Sequence, residues 1–483
     1  MKKVCIFLLN MFLIGQLIYG QQHIHWGSKG DPKNGLTITW QSTGASDSIR
    51  WGYTTSYEKG KSPGIRRADY SGYLYDYTFP TVNQSSIIHY SIFSNNQWIT
   101  DKIFKTSVDP ASTKFSFIAA GDSRTNLSDW EASANKMAAD SADFMLFLGD
   151  HLASGTNTVD WDNWYFRGVK FLEKELVYNT GGNHEYGAIY LNQFVMPGNE
   201  DWYSFEFGDA LFICLLTQNL TTNASAQHTF LLNELAATTK KWKVIFFHKP
   251  FFTTGGHMND MNNYRSTWWK AFDDYGVDLV LGGHTHYYLR SKPINLNVSS
   301  TAPVAEYGSN PGQGRLQVTA GSIGAPLSSV GSAWYIEKNL SVYHYSKFFI
   351  DGNIMKFKTY NLSGDIIDSL TIKKQIIVGM KDVNTGLHSG YKLNQNYPNP
   401  FNGKTTITYH LSKSSNISLK ILDITGKELE TLVQEFQSAG NYQINWQPKE
   451  LISGIYFYKL EIKNLPSGSE REFSETKKLI YLK

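Results

Sequence analysis

Between residues 115 and 286 the chain repeats one device: a strand-length apolar run stops short, and a polar residue able to bind metal follows it at once. The run 115–120 ends at Gly121-Asp122, and the run 144–148 at Gly149-Asp150. Residues 176–179 deliver Gly181-Gly182-Asn183-His184-Glu185, residues 244–247 stop at His248, and residues 277–281 lead into Gly282-Gly283-His284-Thr285-His286. Helical stretches separate these runs. Trp130, Ala134, Met137 and Ala138 share one face over 129–140, and further helices are expected over 160–175 and 226–237. Continuous apolar runs alternating with amphipathic helices predict an α/β domain with strands buried on both faces. Such sheets gather their polar residues beyond the strands' carboxyl ends.

The rest of the chain reads differently. With 483 residues, two to four domains are expected. Residues 21–108 carry short alternating runs at 36–40, 49–53 and 87–92, separated by turn signals, which predicts a small β-sandwich with no clustered catalytic side chains. It should pack against the next domain. Strands return at 316–319, 341–345 and 354–358 and complete a domain spanning 112–374. Residues 375–392, thinly patterned and carrying Gly379, Gly386 and Gly390, read as a linker. Residues 393–483 hold strands at 405–409, 417–421, 442–446 and 455–460, a second β-sandwich without a metal cluster or nucleophile arrangement.

The leader excludes more than the composition does. Residues 1–20 join Lys2 and Lys3 to an apolar stretch from Cys5 to Ile18 and a small residue, Gly20; this is the pattern of a signal peptide, too short for a span and followed by polar chain. No later run is long and apolar enough to cross a bilayer. Of the formal charge of +3, two positives sit in that leader, so nothing argues for nucleic-acid binding. Cleavage would leave Cys214 alone, in the apolar run 211–216, where a buried hydrophobe is its expected role and a disulfide framework is excluded.

Taken singly, a Gly-Asp is a turn, and Gly-His-Thr-His is as easily a satisfied loop as a metal tract. Their occurrence in order at successive strand ends is what carries chemistry. Asp122 and Asp150 offer anionic oxygens, Asn183 a carbonyl oxygen, and His248, His284 and His286 imidazole nitrogens; this mixture suits Fe, Zn or Mn. Asp150 is the natural bridge between two ions, since one shared carboxylate offsets their repulsion. Two ions about 4 Å apart can bind a phosphoryl group and activate water against it.

The series Gly121-Asp122, Gly149-Asp150, Gly182-Asn183-His184-Glu185, His248 and Gly283-His284-Thr285-His286 resembles the calcineurin-like metallophosphoesterase superfamily. With the preceding β-sandwich, similar to a fibronectin type III-like domain, it looks most like the purple acid phosphatase branch. The resemblance implies a four-layer fold, two mixed β-sheets flanked by helices. It implies one ion on Asp122, Asp150 and His286, and another on Asp150, Asn183, His248 and His284. His184 would touch the phosphate. His257, nine residues after His248, would protonate the leaving alkoxide. The implied reaction is hydrolysis of phosphomonoesters by in-line attack of a metal-activated hydroxide, without a phosphoenzyme.

One departure matters. The branch has a tyrosine ligand three residues after the bridging aspartate, where this chain has Ala153; other branches have a histidine two residues after the first aspartate, where it has Arg124. By either pattern the first site lacks a ligand. Water or His151 would fill the gap, or the site is weak and Arg124 grips the phosphate; a structural ion pair for Arg124 is an equal alternative. A phosphodiesterase or pyrophosphatase with the same site, and a non-catalytic binding protein on a degenerate scaffold, stay open. Trp161, Trp164, Tyr165 and Tyr186 fit ordinary packing better than a substrate wall.

Residues 391–483, with Tyr397-Pro398-Asn399-Pro400-Phe401-Asn402 near the start and Lys477-Lys478-Leu479-Ile480-Tyr481-Leu482-Lys483 at the close, resemble the sorting domain of type IX secretion. That implies the type IX machinery as a partner and a secreted or cell-surface location; a carbohydrate-binding or adhesive module is the alternative.

Overall fold

A computed structural model describes residues 21–296, 306–307, 314–374, 391–411, 414–438, 440–463 and 473–483. The expected signal peptide and most of the expected linker lie outside them. The chain divides into two units, Met1–Ile377 and Val378–Lys483.

The first unit begins with two antiparallel sheets. One runs Gln21–Ser28, Leu36–Ser42, Gly72–Thr78, Ile65–Asp69; the other runs Lys61–Pro63, Ser48–Gly52, Ile87–Ser94, Gln97–Trp98, with Lys102–Lys105 also on Ile87–Ser94. Trp26, Trp40, Trp51, Tyr75 and Tyr90 are buried between them, and Trp26 stacks on Phe104 at 3.8 Å. This β-region shares one continuous core with the α/β part that follows. Trp26 bridges to Leu176 and donates its indole N–H to the Glu173 carbonyl at 3.0 Å, Tyr165 donates its hydroxyl to the Ile24 carbonyl at 2.8 Å, and Lys102 pairs with Glu173 at 2.6 Å.

Two mixed seven-stranded sheets form the α/β part. The first runs Val177–Asn179, Phe144–Phe147, Lys114–Ala120, His344–Asp351, Ile354–Asn361, Ile366–Lys373, Glu306–Tyr307. Its first three strands are parallel, and Lys114–Ala120 meets His344–Asp351 antiparallel. The second runs Tyr203–Phe207, Ala210–Cys214, Trp242–Phe246, Leu279–Gly282, Leu316–Ala320, Tyr288–Ser291, Ile336–Leu340. Aromatic side chains lock the sheets face to face: Phe205 stacks on Tyr178 at 3.8 Å, and Phe117 meets Phe212 edge-on at 5.2 Å. Each such pair adds about 1 kcal/mol to the burial of its apolar area.

Helices cover the outer faces, completing four layers. Leu127–Asp140 and Thr158–Leu172 pack through Trp130 and Trp164, stacked at 5.9 Å. On the other side Leu231 and Leu235 of Leu220–Ala237, with Trp268, Trp269 and Phe272, bury Ile213, Ile245 and Val280. The expected helix at 226–237 thus starts six residues earlier, at Leu220, and the expected strand at 341–345 is displaced to His344–Asp351. Cys214 is buried in the second sheet, in the role expected of it.

The second unit is all β in its described residues. Lys392–Leu393, Thr405–Leu411 and Gly440–Trp446 form one sheet, and Glu428–Gln437, Ser415–Leu422, Gly454–Lys463 and Phe473–Tyr481 the other. Ile407, Tyr409, Leu419, Ile421, Tyr458 and Leu460 alternate inward to make its core.

Candidate metal centre

Three parallel strands of the first sheet and two of the second deliver the polar series to one place. Backbone bonds stitch the strand ends together: Asp122 N–H to the Gly149 carbonyl at 2.9 Å, Ser123 N–H to the Asp150 carbonyl at 3.0 Å, and Gly283 N–H to the His248 carbonyl at 2.8 Å. Asp122, Asp150 and His284 all sit at positive φ, 60°, 54° and 68°, a conformation residues with a Cβ rarely adopt. Such strain concentrates at functional sites, where it turns a side chain back across the strand end. Gly182 is required by space: a Cβ there would lie 2.2 Å from the Asp150 nitrogen.

Backbone carbonyls fix the ring tautomers. A carbonyl only accepts, so His248 donates Nδ1–H to Leu148 at 2.8 Å, His286 donates Nδ1–H to Pro326 at 2.8 Å, and His184 donates Nδ1–H to Ala153 at 2.9 Å. Each ring therefore turns Nε2 toward the carboxylates. His284 is reversed: its Nε2 lies 2.9 Å from Asp260 Oδ2 and 2.9 Å from His257 Nδ1, leaving Nδ1 facing His248 Nε2 at 3.1 Å. Holding the far nitrogen of an imidazole in this way is how proteins orient metal ligands.

Around His248 Nε2 converge three acceptors, Asn183 Oδ1 at 3.1 Å, Asp150 Oδ1 at 3.2 Å and His284 Nδ1. Acceptors crowded together with so few protons among them are a donor set that fits a cation. Burial acts to lower His248, yet the Asp150 carboxylate, with Asp122 and Glu185 beyond it, pushes it up to about 9. Burial would raise Asp150, but His248, His184 and Arg124 hold it well below the usual carboxylate range. His284 is driven far down by burial and by His248 and His257, and His286 down to about 4 by burial and Arg124.

Asp122 is fully buried, and burial pushes it well above the usual carboxylate range. Its Oδ2 accepts the His284 N–H at 2.8 Å, while Oδ1, 3.5 Å from His286 Nε2, is buried with no hydrogen-bond partner among the described residues. An orphaned carboxylate oxygen of this kind is costly unless a cation satisfies it. Donor atoms of Asp150, His248 and His284 lie within 4.8 Å of one another, as do those of Asp122, Asp150 and His286. The clustered His and Asp side chains make a site able to hold two metal ions.

The six proposed ligands lie at this centre, with Arg124, His184 and His257 on its rim. Arg124 donates Nε–H to Asp150 Oδ2 at 3.2 Å and reaches His286 Nε2 through Nη2 at 3.2 Å. His257, half-exposed, joins the rim through His284 and Asp260. His151 does not complete the first site: both its nitrogens are engaged in the interior, by Glu185 Oε1 at 3.0 Å and Asn179 Oδ1 at 2.8 Å. Trp161, Trp164 and Tyr165 are buried packing, and Tyr186 donates to Asp201. Two residues were given no role by the sequence. Glu185 Oε1 accepts from Gly182 N, Asp150 N and His151 Nδ1, and Asp260 holds His284. Glu185 at least stood inside a recognisable motif, whereas nothing local marks Asp260.

The strand-end site lies between two helix-flanked mixed sheets and gathers a cluster of metal-binding side chains. Residues 115–288 match the family Calcineurin-like phosphoesterase, and residues 395–473 match Secretion system C-terminal sorting domain. The chain thus carries a calcineurin-like metallophosphoesterase domain followed by a sorting domain. Purple acid phosphatase 1 of Ipomoea batatas is 22% identical over 339 residues, 59% of this chain and 68% of that protein. Fe(3+)-Zn(2+) purple acid phosphatase 12 of Arabidopsis thaliana is 24% identical over 319 residues, 57% of this chain and 66% of that protein, so about a third of each relative lies outside the match. The structure of purple acid phosphatase PPD1 from yellow lupin superposes with a TM-score of 0.66 at 18% identity, covering 74% of this chain and 75% of that one. The sorting domain supports a secreted or cell-surface location. No helix among the described residues is long and apolar enough to cross a membrane.

Proposed function

We propose that this chain is an exported phosphomonoesterase of the acid-phosphatase type. In this reading Asp122, Asp150 and His286 hold one ion and Asp150, Asn183, His248 and His284 the other, with Fe, Zn or Mn as the candidates. The observation that carries it is the convergence of the Asp150, Asn183, His248 and His284 acceptors beside the orphaned Oδ1 of Asp122. When bound, the ions supply Lewis-acid charge and a nucleophile at neutral pH. The chain's own residues do the rest. His184, its Nδ1 pinned by the Ala153 carbonyl, presents Nε2 to the phosphoryl oxygens; Arg124 supplies a forked positive charge at the same rim. His257, half-exposed and hydrogen-bonded to Asp260, protonates the leaving oxygen.

The domain plan proposed with it is a signal peptide at 1–20, a fibronectin type III-like domain at 21–108, the catalytic domain at 112–374, a linker at 375–392 and the sorting domain at 393–483. The test is turnover of a nitrophenyl phosphomonoester and its matching diester by the purified chain, reconstituted in turn with Fe, Zn and Mn. A kcat/KM for the monoester higher by about tenfold or more is expected. A faster diester would reassign the substrate class, and no turnover of either would favour a binding role on the same scaffold.

A further inference from the structure

The first group of donors is shared with a cation the chain already owns. Arg124 Nε–H occupies Asp150 Oδ2 at 3.2 Å, and Nη2 lies 3.2 Å from His286 Nε2. His286 has no other lone pair to offer, because its Nδ1–H is committed to the Pro326 carbonyl. A guanidinium keeps its protons at any working pH. Its N–H groups therefore point at two of the atoms an ion between Asp122, Asp150 and His286 would need. The second group is untouched: Asp150 Oδ1, Asn183 Oδ1, His248 Nε2 and His284 Nδ1 make no contact with Arg124 among the described residues.

Space for a second position of the arginine lies close by. Beside it lies a cavity of about 80 Å³ bounded by Ala153, Asp160 and Trp164, opened in part by the small side chain of Ala153. Asp160, bonded to Asn157 at 2.9 Å, puts a carboxylate on that wall. The guanidinium, still partly exposed, has an alternative berth with a counter-charge within the same cleft.

We infer that Arg124 and the first ion compete for Asp150 Oδ2 and His286 Nε2, so that the two ions bind unequally and the arginine must move toward Asp160 before the first is held. This rests on the reading of the cluster as a metal centre. Two cations held about 4 Å apart repel strongly even at a high effective dielectric, so the two berths behave as a switch. Ion affinity at the first site then depends on Arg124, and at the second it does not.

Zinc titration of the full chain, followed by calorimetry and by bound-metal analysis, tests this in the wild type, Arg124→Ala, Arg124→Lys and His286→Ala. The wild type should bind two equivalents whose Kd values differ by about tenfold or more. Arg124→Ala should tighten only the weaker ion, by about tenfold, Arg124→Lys should fall between, and His286→Ala should abolish the weaker ion alone. Circular dichroism on each variant separates loss of fold from loss of metal. Two ions of equal affinity in the wild type, or a weaker ion unmoved by Arg124→Ala, would overturn the competition while leaving the metal centre standing. No zinc bound in any folded variant would overturn the metal centre itself, and the competition with it.

Discussion

Replacing Glu185 with alanine should loosen the metal centre from beneath without touching a proposed ligand. The Glu185 carboxylate is fully buried, and its Oε1 collects three donors: Gly182 N–H at 2.6 Å, Asp150 N–H at 3.1 Å and His151 Nδ1 at 3.0 Å. It thereby ties the loop carrying Asp150 to the loop carrying Asn183 and His184. Removing it strands three buried donors, each costing roughly 1–3 kcal/mol when left unpaired. Because relaxation of the loops recovers part of this, a combined loss of roughly 3–5 kcal/mol is expected rather than the full sum. Loss of such support behind a metal ligand weakens metal binding about 10–100-fold. Urea unfolding followed by tryptophan fluorescence reads the first term, since every tryptophan except Trp446 lies before Ile377; zinc titration reads the second. An unfolding midpoint and a zinc affinity both unchanged in Glu185→Ala would refute the claim that this carboxylate holds the two loops in register.

Two other outcomes follow from single contacts. Asp260→Ala removes the carboxylate that accepts from His284 Nε2–H, so zinc affinity at the second site should fall about tenfold or more while the fold is unchanged by circular dichroism. Burial pushes Glu175 up to about 8, against an ordinary value of 4.5, so its folded form keeps a proton that the unfolded chain releases. That contribution is whole below pH 4.5 and is lost as pH rises through 8, a swing of roughly 5 kcal/mol. Urea unfolding across this range should show the decline in the wild type and a flatter profile in Glu175→Gln; a decline of equal steepness in the variant would assign it to other groups.

The proposed centre was legible because each proposed ligand lies within four residues of the end of a strand that had to be apolar to be buried, so function and fold wrote the same pattern. What surrounds the ligands was not. The carbonyls of Leu148 and Pro326, which set the His248 and His286 tautomers, belong to residues whose side chains say nothing of it. Asp260 meets His284 from 24 residues away across an exposed loop. Strand Gln21–Ser28 hides for a related reason: its histidines and tryptophan are buried against the α/β part, with His25 on the Gln193 carbonyl and Trp26 on that of Glu173, so no alternation of polar and apolar residues is needed. Glu428–Gln437 escapes the opposite way, exposed along most of its length and mixing polar and apolar side chains on both faces, so it shows no alternation. The helix start at Leu220 was masked by Thr221 and Thr222, residues of weak helix propensity that packing overrides.

The most direct test of the proposed centre is an anomalous-scattering map from zinc-soaked crystals, recorded at the metal edge. A strong peak is expected among Asp150, His248, His284 and Asn183, and a weaker one among Asp122, Asp150 and His286 beside a displaced Arg124. Crystals of a zinc-dependent, active preparation that showed no peak at either place would contradict the proposed centre.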